Sequence, residues 1–274
     1  MAIRVMTTNV LSPDRASWDR RRGVLQAEFA RLNPDLIAVQ EVTSTDFLDR
    51  RYTVAWHSRR SADGVGAALA SRWPLGEVSE VDLHVTGRTG DFPWAAAVVA
   101  EVLAPDPFLF VHHKPSWPVP YAHERELQAV RCARFIEQEL AGRDMHVVLA
   151  GDFDAAPDTS SIRFWTGRQS LDGLSVAYQD TWEAVHPGDP GHTFSPRNPL
   201  VRAGEMSLEP GRRIDYIMVR CGLHGPTLQA ADCFLAFDAP AHGVWATDHF
   251  GLVADLQQPA KPVGTWSPSA HLTN

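Results

Sequence analysis

IRVMTTN (residues 3–9) and LIAVQE (residues 36–41) are apolar runs of strand length, and the segment between them has helical spacing. Trp18, Leu25, Phe29 and Leu32 fall on one stripe, which predicts a helix over about 18–32. Ser17 stands where an N-cap belongs, and Pro34 ends the helix. A strand–helix–strand unit implies two parallel strands. Asn9 and Glu41 then share one edge of the sheet, the carboxyl edge at which open α/β sheets bind ligands.

The same grammar continues along the chain. VGAALASR (65–72) and WAAAVVAEVL (94–103) read as strands between turns containing Gly and Pro. FLFV (108–111) reads as a strand ending in His112 and His113, and the Pro-rich KPSWPVPYAHE (114–124) as a loop. A helix is expected over about 124–140, burying Leu127, Val130, Ala133, Ile136 and Leu140. HVVLA (146–150) runs into Gly151-Asp152-Phe153-Asp154. Residues 185–212 form a long Pro-, Gly- and Arg-containing loop, of a length usually kept for function. RRIDYIMVR (212–220) is a strand, and Thr247-Asp248-His249 precedes a last strand, FGLVADL. The expected class is α/β, with one domain over residues 1–258 and a polar tail over 259–274.

Composition narrows the function. The 274 residues are 44% hydrophobic and 21% charged, which fits a soluble globular protein and excludes a disordered, collagenous or coiled-coil chain. No run of 18 apolar residues suggests a membrane span, and MAIRVMTTNV lacks a signal-peptide pattern. Three cysteines, Cys132, Cys221 and Cys233, lack zinc spacing and suggest reduced thiols in the cytoplasm. The net charge is −8, and Lys114 and Lys261 are the only lysines. Such a chain has no general attraction for a phosphate backbone, although a local arginine patch or a bound cation can reverse the field at a site. Arg20-Arg21-Arg22, Arg59-Arg60 and Arg212-Arg213 read as solvated groups.

Polar groups recur at strand ends: Asn9, Glu41, His113, Asp152, Asp215 and Asp248-His249. Carboxylates with an amide suit a hard divalent cation, and a carboxylate beside a histidine suits proton transfer. No Gly-x-Ser-x-Gly elbow and no His-Glu-x-x-His helix competes for the chemistry.

TNV (8–10), QE (40–41), His113, GDFD (151–154), RRIDY (212–216) and TDHFG (247–251) occur in the order that resembles the endonuclease/exonuclease/phosphatase superfamily, built like DNase I. The resemblance spans roughly residues 3–256. It implies a four-layer α/β sandwich, two packed mixed β-sheets flanked by helices. It implies Mg²⁺ or Mn²⁺, one ion or two, and in-line attack of water on a phosphate ester. Carried across by the resemblance, Glu41 is the principal metal ligand, Asn9 its assisting amide and Asp248 a further carboxylate on the metal side. Asp152 positions or deprotonates the water, and Asp215 orients His249, which contacts the phosphate or acts as base.

Two departures stand out. GDFD replaces the usual GDFN, so Asp154 is an acceptor-only carboxylate, with either a turn role or a second cation to bind. The usual Thr-His-Leu is His112-His113-Lys114, and strand alternation turns only one histidine toward the site; His113 is the expected one, with Lys114 in the Leu position. Around the site, Trp117 either packs its loop or forms an apolar wall for substrate, and Arg163 either clamps a phosphate or faces solvent. Asn198, in the long loop, is a candidate substrate contact, and Asp215 has a competing reading as a salt-bridge partner of Arg212 or Arg213. The expected function is a metal-dependent phosphodiesterase, with a DNA or RNA nuclease as the alternative and a non-catalytic binding protein as a third. The expected partner is a phosphate ester, small molecule or nucleic acid, with no obligate protein partner.

Overall fold

In the computed structural model, which describes residues 2–92 and 94–266, β1 (Ala2–Asn9) and β2 (Leu36–Val42) pair in parallel, with Asn9 beside Gln40. The helix between them, α1 (Trp18–Leu32), buries Leu25, Phe29 and Leu32 together with Arg21. Ser17 does not cap it. Its φ of 54° is left-handed rather than extended, and its hydroxyl makes no capping bond. Half of the expected polar tail, residues 267–274, lies outside the described residues.

The chain continues through β3 (Thr53–Trp56), β4 (Gly66–Ser71), β5 (Leu75–Asp82), β6 (Ala96–Val102), β7 (Phe108–Lys114), α2 (Ala122–Leu140) and β8 (Val147–Asp152). It then forms α3 (Ser160–Trp165), β9 (Tyr178–Asp180), α4 (Thr181–Val185), α5 (Pro199–Ala203), β10 (Asp215–Gly222), β11 (Gly225–Pro226), β12 (Gln229–Ala236) and β13 (Gly251–Gln257). One sheet runs β12-β13-β1-β2-β4-β3. The other runs β11-β10-β8-β7-β6-β5, with β9 also on β10. Both are mixed: β1 with β2 and β7 with β8 are parallel, and the other pairs are antiparallel.

Alternation along the strands builds the layers. Ile3, Val5, Leu36 and Ala38 from the first sheet meet Ala100, Phe110, Val148 and Ile217 from the second. On the outer face of the first sheet, Met6, Ile37 and Val39 pack under Leu25 and Phe29 of α1. On the outer face of the second, Leu109, Val111 and Leu149 pack under Ala133 and Ile136 of α2 and Phe164 of α3. The result is helix, sheet, sheet, helix, the expected four-layer sandwich. Among the described residues, no helix is long and apolar enough to cross a membrane, and the three cysteines are free.

The inter-sheet layer is not wholly apolar. Gln40 reaches Thr7 Oγ1 at 3.3 Å and His112 Nε2 at 2.8 Å, and the His112 ring meets His57 edge-on at 4.7 Å. Burial holds His57 down to about 4 and His113 down to about 3, and lowers His112 as well. A depressed histidine contributes stability that is intact above about pH 6.5 and is lost as pH falls through the folded value. Asp154 and Asp248, pushed up to about 6, bind protons in the folded state and act with the opposite sign. The expected result is therefore residue-specific. In ¹⁵N-detected imidazole spectra, His57 and His113 stay neutral from pH 8 to pH 5, and a midpoint near 6.5 for either contradicts its burial.

Candidate active site

Asn9 ends β1 with its amide engaged on both sides. Its Oδ1 accepts from the Leu11 N–H at 3.0 Å, and its Nδ2 donates to Glu41 Oε1 at 2.9 Å and Asp152 Oδ2 at 3.3 Å. Glu41 reaches that point through a bulge. The β2–β4 register slips between Gln40 and Val42, and Glu41 has a φ of 60°. Such a bulge re-aims a side chain at the rim of a sheet. The left-handed conformation costs roughly 1–2 kcal/mol for a residue with a Cβ. Bonds from Asn9 and from the Ser12 N–H, 3.1 Å from Oε2, offset it.

The 10–16 loop that supplies Ser12 is shaped by Arg21. Its buried guanidinium donates to the carbonyls of Val10, Leu11, Ser12, Arg15, Ala16 and Ala246. The sequence reading took Arg21 for a solvated residue. It lies three residues after Trp18 and four before Leu25, on the buried stripe, and that spacing was the available signal.

Asp152 ends β8 directly opposite Asp215, the first residue of β10. A Cβ at Gly151 would collide with the His113 carbonyl oxygen, so only glycine lets β8 approach β7 this closely. β7 continues past both histidines to Lys114, and here the expectation for His113 is corrected. Its ring packs outward against Phe153 at 4.9 Å and Trp165 at 5.7 Å, while His112 turns in between the sheets. Alternation gives Phe110, His112 and Lys114 the inner face and Val111 and His113 the outer one. The group at the site is Lys114, 1% exposed, whose Nζ donates to Asp152 Oδ2 at 2.9 Å and pairs with Asp154. Asp154, left-handed at φ 50°, also donates its N–H to Asp152 Oδ1 at 3.2 Å.

His249 closes the cluster. Its Nδ1 lies 2.9 Å from Asp215 Oδ2, and its other ring nitrogen has no hydrogen-bond partner among the described residues. The salt-bridge reading of Asp215 fails because Arg212 pairs with Glu209 and Arg213 with Asp180. Thr247 Oγ1 donates to the Asn9 carbonyl at 2.7 Å, tying the Thr247-Asp248-His249 turn to β1.

Asn198 is 0% exposed and does not face a substrate. Its Nδ2 donates to the carbonyls of Thr247 at 2.7 Å and Asp248 at 3.1 Å, and its Oδ1 accepts from the Leu200 N–H at 3.0 Å. Asn198→Ala is expected to cost about 1–3 kcal/mol in urea denaturation, the penalty of stranding buried polar groups. An unchanged midpoint contradicts that role.

Trp117 is 42% exposed on the Pro-rich loop, which Arg125 pins through the Ser116, Pro118 and Val119 carbonyls. Arg163 is exposed on α3. A groove of about 500 Å³ runs between this loop and residues 205–212, lined by Val119, Glu205, Met206, Leu208, Glu209 and Arg212.

The charges are strongly coupled. Burial opposes the His249 cation, but Asp215, Asp152 and Asp248 outweigh it and raise the imidazole to about 10. Burial also opposes the Asp152 carboxylate, yet Lys114 holds it below the usual carboxylate range. Burial and the Asp152 charge push Asp154 up to about 6; burial and Glu41 do the same to Asp248. One ligand atom each from Asp152, Asp215 and His249 lie within 4.8 Å of one another, a set that could hold a metal ion.

The profile of the endonuclease/exonuclease/phosphatase family matches residues 6–249, from the middle of β1 to His249. The chain belongs to this family. Solved structures share the family's fold at low sequence identity. The D. rerio TDP2, humanized by 14 mutations, has a TM-score of 0.72 and 18% identity, covering 94% of this chain and 99% of that one. The human Nocturnin catalytic domain with bound sulfate has a TM-score of 0.69 and 17% identity, covering 94% of each chain. An endonuclease/exonuclease/phosphatase from Bacteroides vulgatus has a TM-score of 0.69 and 18% identity, covering 94% and 99%. Among curated proteins, none matches the chain.

Proposed function

We propose that the chain is a divalent-metal-dependent phosphodiesterase. The observation that carries this reading is the hydrogen-bonded run Glu41–Asn9–Asp152–Lys114 with the Asp215–His249 pair directly beside it, Asp215 opposite Asp152 in the sheet. Glu41 and Asp248, with Asn9 beside them, are oxygen donors suited to Mg²⁺ or Mn²⁺. The Asp152–Asp215–His249 set could also hold an ion, with His249 Nδ1 already committed to Asp215. A bound ion would neutralise phosphate charge and stabilise the leaving oxygen.

The protein's own groups supply the rest. Asp152, kept ionised by Lys114 and oriented by Asn9, accepts a proton of the attacking water. His249, fixed by Asp215, is charged at neutral pH and aims its free nitrogen at the phosphate, so it serves as a hydrogen-bond donor or acid rather than as base. Trp117 and Arg163 are available as contacts for the substrate's flanks.

A small or lipid-derived diester suits the net charge of −8 and the groove with Glu205 and Glu209 among apolar residues. A nuclease is the second reading, favoured by the likeness to D. rerio TDP2 complexed with a single strand DNA product (TM-score 0.71, 18% identity). One assay panel with Mn²⁺ separates them: bis-p-nitrophenyl phosphate, p-nitrophenyl phosphate, sphingomyelin and supercoiled plasmid, with EDTA and Glu41→Ala controls. Metal-dependent turnover of the diester with intact plasmid is expected. Plasmid nicking lost in Glu41→Ala establishes the nuclease, and no metal-dependent turnover at all overturns both.

A further inference from the structure

Asp154 and Lys114, two of the residues that depart from the GDFN and Thr-His-Leu patterns, are the two ends of one ion pair. They are 40 residues apart in the chain and meet at the ends of adjacent parallel strands. Lys114 Nζ also bonds Asp152, so a single ammonium is held between two buried carboxylates. The Phe92 and Trp94 rings lie 5.7 Å and 5.8 Å from it, giving the cation an aromatic wall.

We propose that Lys114 takes the place of a second cation, so that this chain binds one divalent ion where Asp152 and Asp154 would otherwise gather two. Charge supports this. Besides Lys114, the guanidinium groups of Arg125 and Arg212 also act on Asp152 and Asp154, so this carboxylate pair is matched by positive charge without a second ion. Geometry agrees, because a divalent ion needs carboxylate oxygens at about 2.0–2.2 Å, and the ammonium already occupies the space between these two. Without the ammonium, Asp152 and Asp154 become a free acidic pair, the usual requirement for a second ion.

The inference rests on the phosphodiesterase reading for its first ion, and ion counting separates the two. Bound Mn²⁺ per chain would be measured by equilibrium titration with electron paramagnetic resonance of the free ion. Wild type is expected to hold one ion, Lys114→Met two, and Lys114→Met/Asp154→Asn one again. Lys114→Arg, which keeps the cation, is expected to hold one. Two ions in wild type overturn the inference, whatever the variants do. A single ion in Lys114→Met with a native circular dichroism spectrum overturns it too. No ion in wild type removes the metal-dependent reading itself. Should Lys114→Met fold only when Mn²⁺ is present, its count is taken after refolding in Mn²⁺, and the double variant, which carries one carboxylate fewer, supplies the folded comparison.

Discussion

His249→Ala lowers kcat for an activated phosphodiester by about 10²–10⁴-fold, the range for losing a positioned proton-transfer group, and leaves KM within about threefold. The His249 ring is buried. Its Nδ1 is committed to Asp215 and its other nitrogen is free, so the cation can gain a partner only when phosphate arrives. Charge grows on the phosphate oxygens in the transition state, so removing the cation affects turnover more than substrate binding. Asp215→Asn keeps the shape of the pair but removes the negative charge that raises His249 to about 10. The imidazole of that variant is expected to lose its proton as pH rises through a much lower value. Its pH–rate profile should therefore fall off earlier on the alkaline side than that of wild type. Wild-type kcat in His249→Ala, or an unmoved alkaline limb in Asp215→Asn, sinks the assignment.

Glu41→Gln is expected to weaken Mn²⁺ binding at least 100-fold and to lower kcat/KM by about 10³-fold or more, the several kcal/mol that a Lewis-acidic ion supplies at a phosphoryl oxygen. In the metal-free protein the substitution has two opposing effects: it relieves repulsion with Asp248, which Glu41 helps push up to about 6, and it replaces one acceptor of the Asn9 and Ser12 hydrogen bonds with a donor. Thermal unfolding reads both effects. Wild type gains Tm on adding Mn²⁺, since a ligand of the native state alone stabilises it. Glu41→Gln is expected to gain little from its own metal-free Tm. An equal Mn²⁺-dependent rise in both proteins places the ion elsewhere.

Much of this site was legible because strands deliver their terminal residues to a common edge. Asn9, Glu41, Asp152 and Asp215 each follow or open a recognisable apolar run, and the parallel pairing inferred for β1 and β2 puts the first two side by side. Period-two alternation held at β7, where His112 and His113 lie on opposite faces. The choice of His113 came from setting Lys114 in the Leu position of the Thr-His-Leu pattern, and the structure turns Lys114 itself toward the site.

The structural roles of Asn198, expected to contact substrate, and of Arg21, expected in solvent, escaped because their partners are backbone carbonyls, which leave no trace in side-chain identity. The edge strands β3, β5 and β12 were missed for a related reason. Their burial is incomplete, and their alternation competes with charged and small residues such as Glu77, Glu80 and Asp232.

The central place of β1 has a bearing on biosynthesis. That strand lies between β2 and β13, so the N-terminal strand is completed by the last strand of the fold. Residues 247–249 sit just before β13 and are anchored to Asn9. While a ribosome is still making the chain, Asn9 and Glu41 can meet early through the local β-α-β unit. The imidazole that completes the chemistry arrives only after some 200 further residues have emerged and β13 has docked. A nascent or prematurely terminated chain lacking residues 247–257 therefore carries Asn9, Glu41, Asp152 and Asp215 but neither Asp248 nor the histidine paired with Asp215, and on the proposed reading it would be inactive.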